Sequence, residues 1–192
     1  IIGAGIVGLV LALKLKKKYP DKSVLVLDKE SNSIKHGTGR NSGVIHSGIY
    51  YPPGTLRAKY CVSGSKQLKS YVQEKNLWID ECGKILLPTS KKSCSSLELL
   101  MERAEKNSIY AKKVYSEEIL HLEPNANPVY GEGIFIPFTS VVNPKEVAIS
   151  IMEDIKDLGV KVIYNSEVTN INSKKGIVEC GKSIFIGDTL VN

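Results

Sequence analysis

Three glycines, an acid and a histidine carry the chemistry legible in this 192-residue chain. Gly3, Gly5 and Gly8 form a Gly-x-Gly-x-x-Gly turn directly after the apolar Ile1 and Ile2, and Asp28 closes the next apolar run, Val24 to Leu27. In a βαβ unit the first glycine permits the tight turn out of a strand and the second lets backbone approach a pyrophosphate. The third lets the helix pack closely on the sheet. The phosphates of a dinucleotide then face the positive N-terminus of that helix. A carboxylate at the Asp28 position accepts hydrogen bonds from ribose hydroxyls, and Lys29 beside it joins the candidate cofactor-binding residues. His46, in a loop flanked by Gly43 and Gly48, is a candidate general base, because an imidazole of ordinary pKa accepts a proton near neutral pH.

Positioning these residues requires a strand at 1–2, a helix over 6–18 and a strand over 23–28. The helix ends on Lys16, Lys17 and Lys18, which suit the negative end of its dipole. The near-continuous apolar run of 24–27 is that of a parallel strand covered on both faces. No regular third βα unit follows, as it does in nicotinamide dehydrogenases. Gly37 to Gly48 is instead a polar, glycine-rich loop that can bring backbone, Arg40, Asn41, Ser42 and Gly43 against a bulky isoalloxazine ring, which favours flavin adenine dinucleotide (FAD) as cofactor. Composition alone also allows a surface loop rich in turn formers.

Further along, Thr55 is the expected N-cap of a helix reaching about Asn76, with Leu56, Tyr60, Leu68, Tyr71 and Val72 on its apolar side. Strands are expected at 84–88 and 133–137, with helices at 95–107 and 116–122. Pro144 opens a helix to 158. Closely spaced strands at 161–164, 167–171, 177–179, 183–186 and 189–191 follow. The predicted fold class is α/β: a Rossmann-like FAD-binding domain with a parallel sheet, made of 1–80 and 144–192, plus part of an inserted α+β substrate domain at 81–143. The chain starts and stops inside strands and is expected to be the N-terminal portion of a longer protein.

The segment Arg40-Asn41-Ser42-Gly43-Val44-Ile45-His46-Ser47-Gly48-Ile49-Tyr50-Tyr51-Pro52-Pro53-Gly54 resembles the L-2-hydroxyglutarate oxidase/dehydrogenase family of D-amino-acid-oxidase-like flavoproteins. The similarity continues through Leu56 to Gly64, Cys82-Gly83-Lys84, Glu123-Pro124 and Val141 to Pro144. Two positions depart from that pattern: Asp28 stands where Glu is more common, and Asn143 where Asp is. The resemblance implies oxidation of L-2-hydroxyglutarate to 2-oxoglutarate, with hydride passing to flavin N5 and the hydroxyl proton to His46. His46 would otherwise orient the flavin or a substrate carboxylate.

Arg57 and Lys59 are candidate partners for a dicarboxylate, or else the solvated face of the helix after Gly54. Tyr51 either lines the pocket or packs in the core. Val168 stands where related proteins contact adenine through backbone, and equally suits a buried strand. The electron acceptor would be oxygen or a quinone. An amine or amino-acid oxidase of the same superfamily, or a flavin-binding module without turnover, are the competing readings.

Composition narrows the classes. There are 26 basic and 20 acidic residues, giving +6, but the lysines are scattered, so no basic stripe interleaved with aromatics points to nucleic acid. The excess allows peripheral attraction to an anionic membrane surface, giving a cytoplasmic protein that can associate with the inner membrane. Cys61, Cys82, Cys94 and Cys180 lack metal-ligand spacing and read as reduced, with no metal site.

Overall fold

A computed structural model describes residues 1–192. In chain order the elements are α1 (Ile6–Lys18), β1 (Leu25–Leu27), a 3-10 turn (Gly37–Gly39), β2 (Val44–Ile45), α2 (Leu56–Glu74), β3 (Ile79–Asp80) and β4 (Lys84–Leu86). Then come α3 (Lys91–Lys106), β5 (Lys112–Tyr115), α4 (Ser116–Leu122), β6 (Glu132–Ile136), β7 (Ser140–Val142) and α5 (Pro144–Asp157). The chain closes with β8 (Lys161–Ile163), β9 (Asn170–Asn172), β10 (Ile177–Cys180) and β11 (Ser183–Ile186). They gather into two units, one of Ile1–Ser42 with Asn143–Asn192, the other of Gly43–Val142.

The first unit is built on parallel pairing. β1 pairs with β8 in the register Leu25 to Lys161 through Leu27 to Ile163. Ile2 bridges Leu27 in parallel on the other side of β1, and the Ile2 N–H donates to Val191 O at 2.8 Å. The expected strand at 189–191 is therefore reduced to a single backbone contact. α1 packs against α5, with Leu9, Ala12 and Leu13 buried on one and Val147, Ala148, Ile151 and Ile155 on the other. Asn143 caps α5 by accepting from the Lys145 N–H at 3.1 Å, and Gly159 leaves the helix at φ +79°, a conformation that favours glycine. β9, β10 and β11 form an antiparallel meander, and the strand expected at 167–171 begins only at Asn170.

The second unit holds two three-stranded sheets, β2–β7–β3 and β4–β6–β5. Its core joins Ile49, Leu97, Ala104, Ile134 and Ile136. Ser90 and Ser93 form a reciprocal capping box that starts α3 four residues earlier than its apolar pattern indicates.

The N-terminal part of the first compact unit ends at Ser42, because β2 and β3 are the two neighbours of β7 and so tie 43–80 to 140–142. One expectation, the inward side of α2, is corrected in part. Thr55 does cap the helix, through Ala58 N–H at 3.2 Å, and the expected Leu68, Tyr71 and Val72 are buried or half-buried, but the side that turns inward also carries Ala58, Cys61, Val62, Ser65 and Lys69. Leu56 and Tyr60 lie off that side and are 67% and 64% exposed.

Candidate cofactor-binding and active site

In the first unit the glycine turn is set by backbone. Gly3 sits at φ +98° and donates its N–H to Leu27 O at 2.7 Å, which locks the exit from the first strand to β1. A Cβ on Gly8 would lie 2.0 Å from the Gly3 carbonyl oxygen, so no side chain fits there and the first turn of α1 rests directly on the turn that precedes it. The helix has no acidic residue in its first turn and no side-chain cap from its own N-cap, Gly5. Its first intrahelical bond is Leu9 N–H to Gly5 O at 3.0 Å, so the N–H groups of Val7 and Gly8 stay available to an anion. Such a crowded, acid-free helix start, with the N–H groups of Val7 and Gly8 open, fits a pyrophosphate.

Asp28 is half-buried just past β1. Its Oδ2 accepts the Ala4 N–H at 2.6 Å and its Oδ1 the Glu30 N–H at 2.8 Å. Each oxygen keeps acceptor capacity beyond those bonds, as a ribose diol requires. The carboxylate thus also staples the glycine turn to β1, a role its position in sequence did not disclose.

Thr38 is a support of the glycine turn that sequence reasoning missed. It lies in the 3-10 turn, 8% exposed, and its Oγ1 accepts the Ile6 N–H at 3.0 Å. It therefore supplies, from 32 residues away, the cap that Gly5 lacks. The only signal was a Thr between two glycines. Asn41 holds that turn in place, donating from Nδ2 to Gly37 O at 2.9 Å and Thr38 O at 3.0 Å. Lys29, Arg40 and Ser42 are exposed. Val168 is half-buried in the segment between β8 and β9, outside any strand.

Loop 29–36 is stitched to the end of β8. Asn165 N–H donates to Glu30 O at 2.9 Å, and the Ser33 and Tyr164 hydroxyls lie 2.7 Å apart. His36, for which sequence offered no partner, meets Glu30 Oε1 at 2.8 Å, and that contact holds the Glu30 carboxyl below its ordinary range.

In the second unit, Gly43 takes φ +69° and leads into β2, after which His46 stands exposed. Its ring makes no hydrogen bond, while its backbone oxygen accepts from Cys61 Sγ at 3.3 Å. Burial pushes the Cys61 thiol up, which suits a packed thiol. Tyr51 is half-buried, with its carbonyl accepting from Asn107 Nδ2 at 3.0 Å. Arg57 and Lys59 are exposed on α2. No helix is long and apolar enough to cross a membrane.

A parallel βαβ start, a helix N-terminus kept clear by glycines and an acid at the next strand end define a dinucleotide-binding fold. The chain belongs to the FAD dependent oxidoreductase family, DAO, whose model matches residues 1–192. It is 37% identical over 179 residues to L-2-hydroxyglutarate dehydrogenase of Escherichia coli, 93% of this chain and 42% of that protein. It is 38% identical over 176 residues to the mitochondrial L-2-hydroxyglutarate dehydrogenase of Homo sapiens, covering 91% and 38%. Against the Indibacter alkaliphilus L-2-hydroxyglutarate dehydrogenase it is 36% identical, covering 100% and 48%. The chain thus spans less than half the length of these relatives. Among solved structures it resembles FAD-bound L-alpha-glycerophosphate oxidase of Mycoplasma pneumoniae, with TM-score 0.82, 26% identity and 95% of this chain against 49% of that one. Glycine oxidase of Geobacillus kaustophilus shares the fold at TM-score 0.86 and 15% identity, covering 97% and 52%.

Proposed function

We propose that the full-length protein oxidises L-2-hydroxyglutarate to 2-oxoglutarate with FAD. The observation that carries this reading is the 36–38% identity to L-2-hydroxyglutarate dehydrogenases along 91–100% of the chain. In this reading the Gly3-Gly5-Gly8 turn and the α1 N-terminus hold the pyrophosphate, and Asp28 takes the ribose. Lys29, Arg40, Asn41, Ser42, Gly43 and Val168 complete the cofactor side.

Bound FAD would supply a two-electron acceptor, with its N5 as the expected acceptor of the C2 hydride. His46 takes the hydroxyl proton at the same carbon, which leaves the carbonyl of 2-oxoglutarate. Arg57 and Lys59 offer cations to the two carboxylates, Arg57 with the fork that suits a bidentate grip. Tyr51 lines the substrate side. Oxygen or a membrane quinone would be the final electron acceptor, and the excess of basic residues supports a cytoplasmic protein resting peripherally on the inner membrane.

The test is rapid mixing of the FAD-loaded full-length protein with each enantiomer of 2-hydroxyglutarate, with glycine and with sarcosine. Fast bleaching by the L enantiomer alone is expected. Bleaching by glycine or sarcosine alone would make it an amine oxidase, and no bleaching by any of the four would make it a binding module.

A further inference from the structure

The side-chain oxygens of Thr139 and Ser140 are buried without a hydrogen-bond partner, and they sit side by side at the start of β7. Thr139 is 2% exposed and Ser140 0%. A buried hydroxyl that makes no bond is a net cost to a fold, so two in succession call for a use. The backbone of Thr139 is already engaged: its N–H donates to Ile136 O at 3.3 Å and its carbonyl accepts the Gly83 N–H at 3.0 Å. Only the hydroxyl is idle.

The strand register says which residue stands nearest across the sheet. Val44 pairs with Val141 and Ile45 with Ser140, the last pair of β2 with β7, and His46 and Thr139 are the next residues beyond that pair on the two chains. Val142 N–H donates to Gly43 O at 3.0 Å, which makes 43/142 a hydrogen-bonded pair. By alternation 45/140 is also of that type and 46/139 is not. Non-hydrogen-bonded positions bring their Cα atoms to about 4.5 Å and present both side chains to the same face. Ser140 falls on the other face, with Ile45.

We propose that Thr139 is a positioning residue for His46: its oxygen accepts the imidazole Nδ1–H, which leaves the Nε2 lone pair to receive the substrate's hydroxyl proton. This rests on the reading of His46 as the base. The imidazole needs such a partner, since no other group of the protein bonds its ring, and a base is only as effective as its fixed tautomer allows. Other titratable or charged groups on the surrounding elements are Cys61, Arg57 and Lys59 on α2, Asp80 on β3, and the Lys69–Glu81 pair, whose ammonium also donates to Phe138 O at 2.6 Å.

The experiment is flavin reduction by L-2-hydroxyglutarate across pH in the FAD-loaded full-length protein. Thr139→Val is expected to slow reduction about tenfold and to lower the apparent pKa of the base, because the imidazolium loses an acceptor. Thr139→Ser is expected to restore both, and Ser140→Ala to leave the pH profile in place. In a His46→Ala background, Thr139→Val should cost nothing further. Nitrogen NMR of labelled histidine with 2-oxoglutarate bound gives a readout apart from turnover: the Nδ1-protonated tautomer in the parent protein, and its loss in Thr139→Val. Should Thr139→Val not fold, Thr139→Ala takes its place.

A parent-like rate and pH profile in Thr139→Val, or an equal further loss on top of His46→Ala, overturns the proposal. A parent-like rate in His46→Ala itself overturns the base reading instead.

Discussion

The first unit makes its candidate site from backbone, whereas the second makes its own from side chains at the ends of very short strands. Around Gly3, Gly5 and Gly8 the limiting quantity is space: a Cβ at position 8 would meet a carbonyl oxygen at 2.0 Å. Around His46 the limiting quantity is orientation, because the ring is exposed and bonded to nothing. A site made of backbone tolerates almost no change at its glycines and much change around them. A site made of side chains behaves oppositely, losing rate in proportion to the group removed while the fold persists.

The largest effect belongs to the crowded turn. Gly8→Ala forces backbone against backbone, at about 3 kcal/mol or more, and is expected to abolish flavin retention through gel filtration. Gly64→Ala is the control: Gly64 lies exposed in α2 and nothing lies within 4 Å of the added carbon, so flavin retention should match the parent. Full flavin content in Gly8→Ala would take the turn out of the cofactor site.

His46→Ala probes the other unit. Flavin reduction should slow on the order of a hundredfold while the cofactor stays bound, a loss typical of a missing general base. Loss of flavin together with rate would show that position 46 belongs to the cofactor's support, and the distinction between the two units would weaken.

Thr38→Val separates support from contact within the first unit. Removing a hydroxyl that caps α1 should cost about 1 kcal/mol of stability, measured by urea unfolding, and Thr38→Ser should recover most of it. A variant as stable as the parent would mean that α1 needs no cap at that end.

The same contrast explains what sequence could disclose. The glycine turn, α1, Asp28 and the Pro144 helix were legible because each obeys a local rule of spacing or capping, and the parallel pairing of β1 with β8 follows from that order. β2, β3 and β7 were not legible. They are two or three residues long, too short for a periodic pattern, and they form a sheet only because residues 44, 79 and 142 are brought together from far apart. The missed cap from Thr38 shares that cause, since it is a contact across 32 residues. The exposed Leu56 and Tyr60 have another cause: size and apolarity do not by themselves fix the buried side of a helix, and the small Ala58 and Ser65 face inward instead.

The smallest effect tests whether loop 29–36 is held by charge or by backbone. Hydrogen bonding from His36, with Lys35 adding to it, keeps the Glu30 carboxyl below its ordinary value, so the folded state binds that proton less readily than the unfolded chain does. A depressed acid contributes stability that is present above its unfolded range and disappears as pH falls through its folded one. Glu30→Gln should therefore unfold at slightly lower urea than the parent at pH 7, and the two curves should converge once the medium is acidic enough to protonate Glu30 in the fold. Because the pair is exposed to solvent, added salt should shrink the gap at pH 7 as well. Coincident curves at every pH would assign the order of the loop to its backbone bonds with Asn165 and to the Ser33–Tyr164 contact, making this part of the first unit, like its glycine turn, independent of side-chain charge.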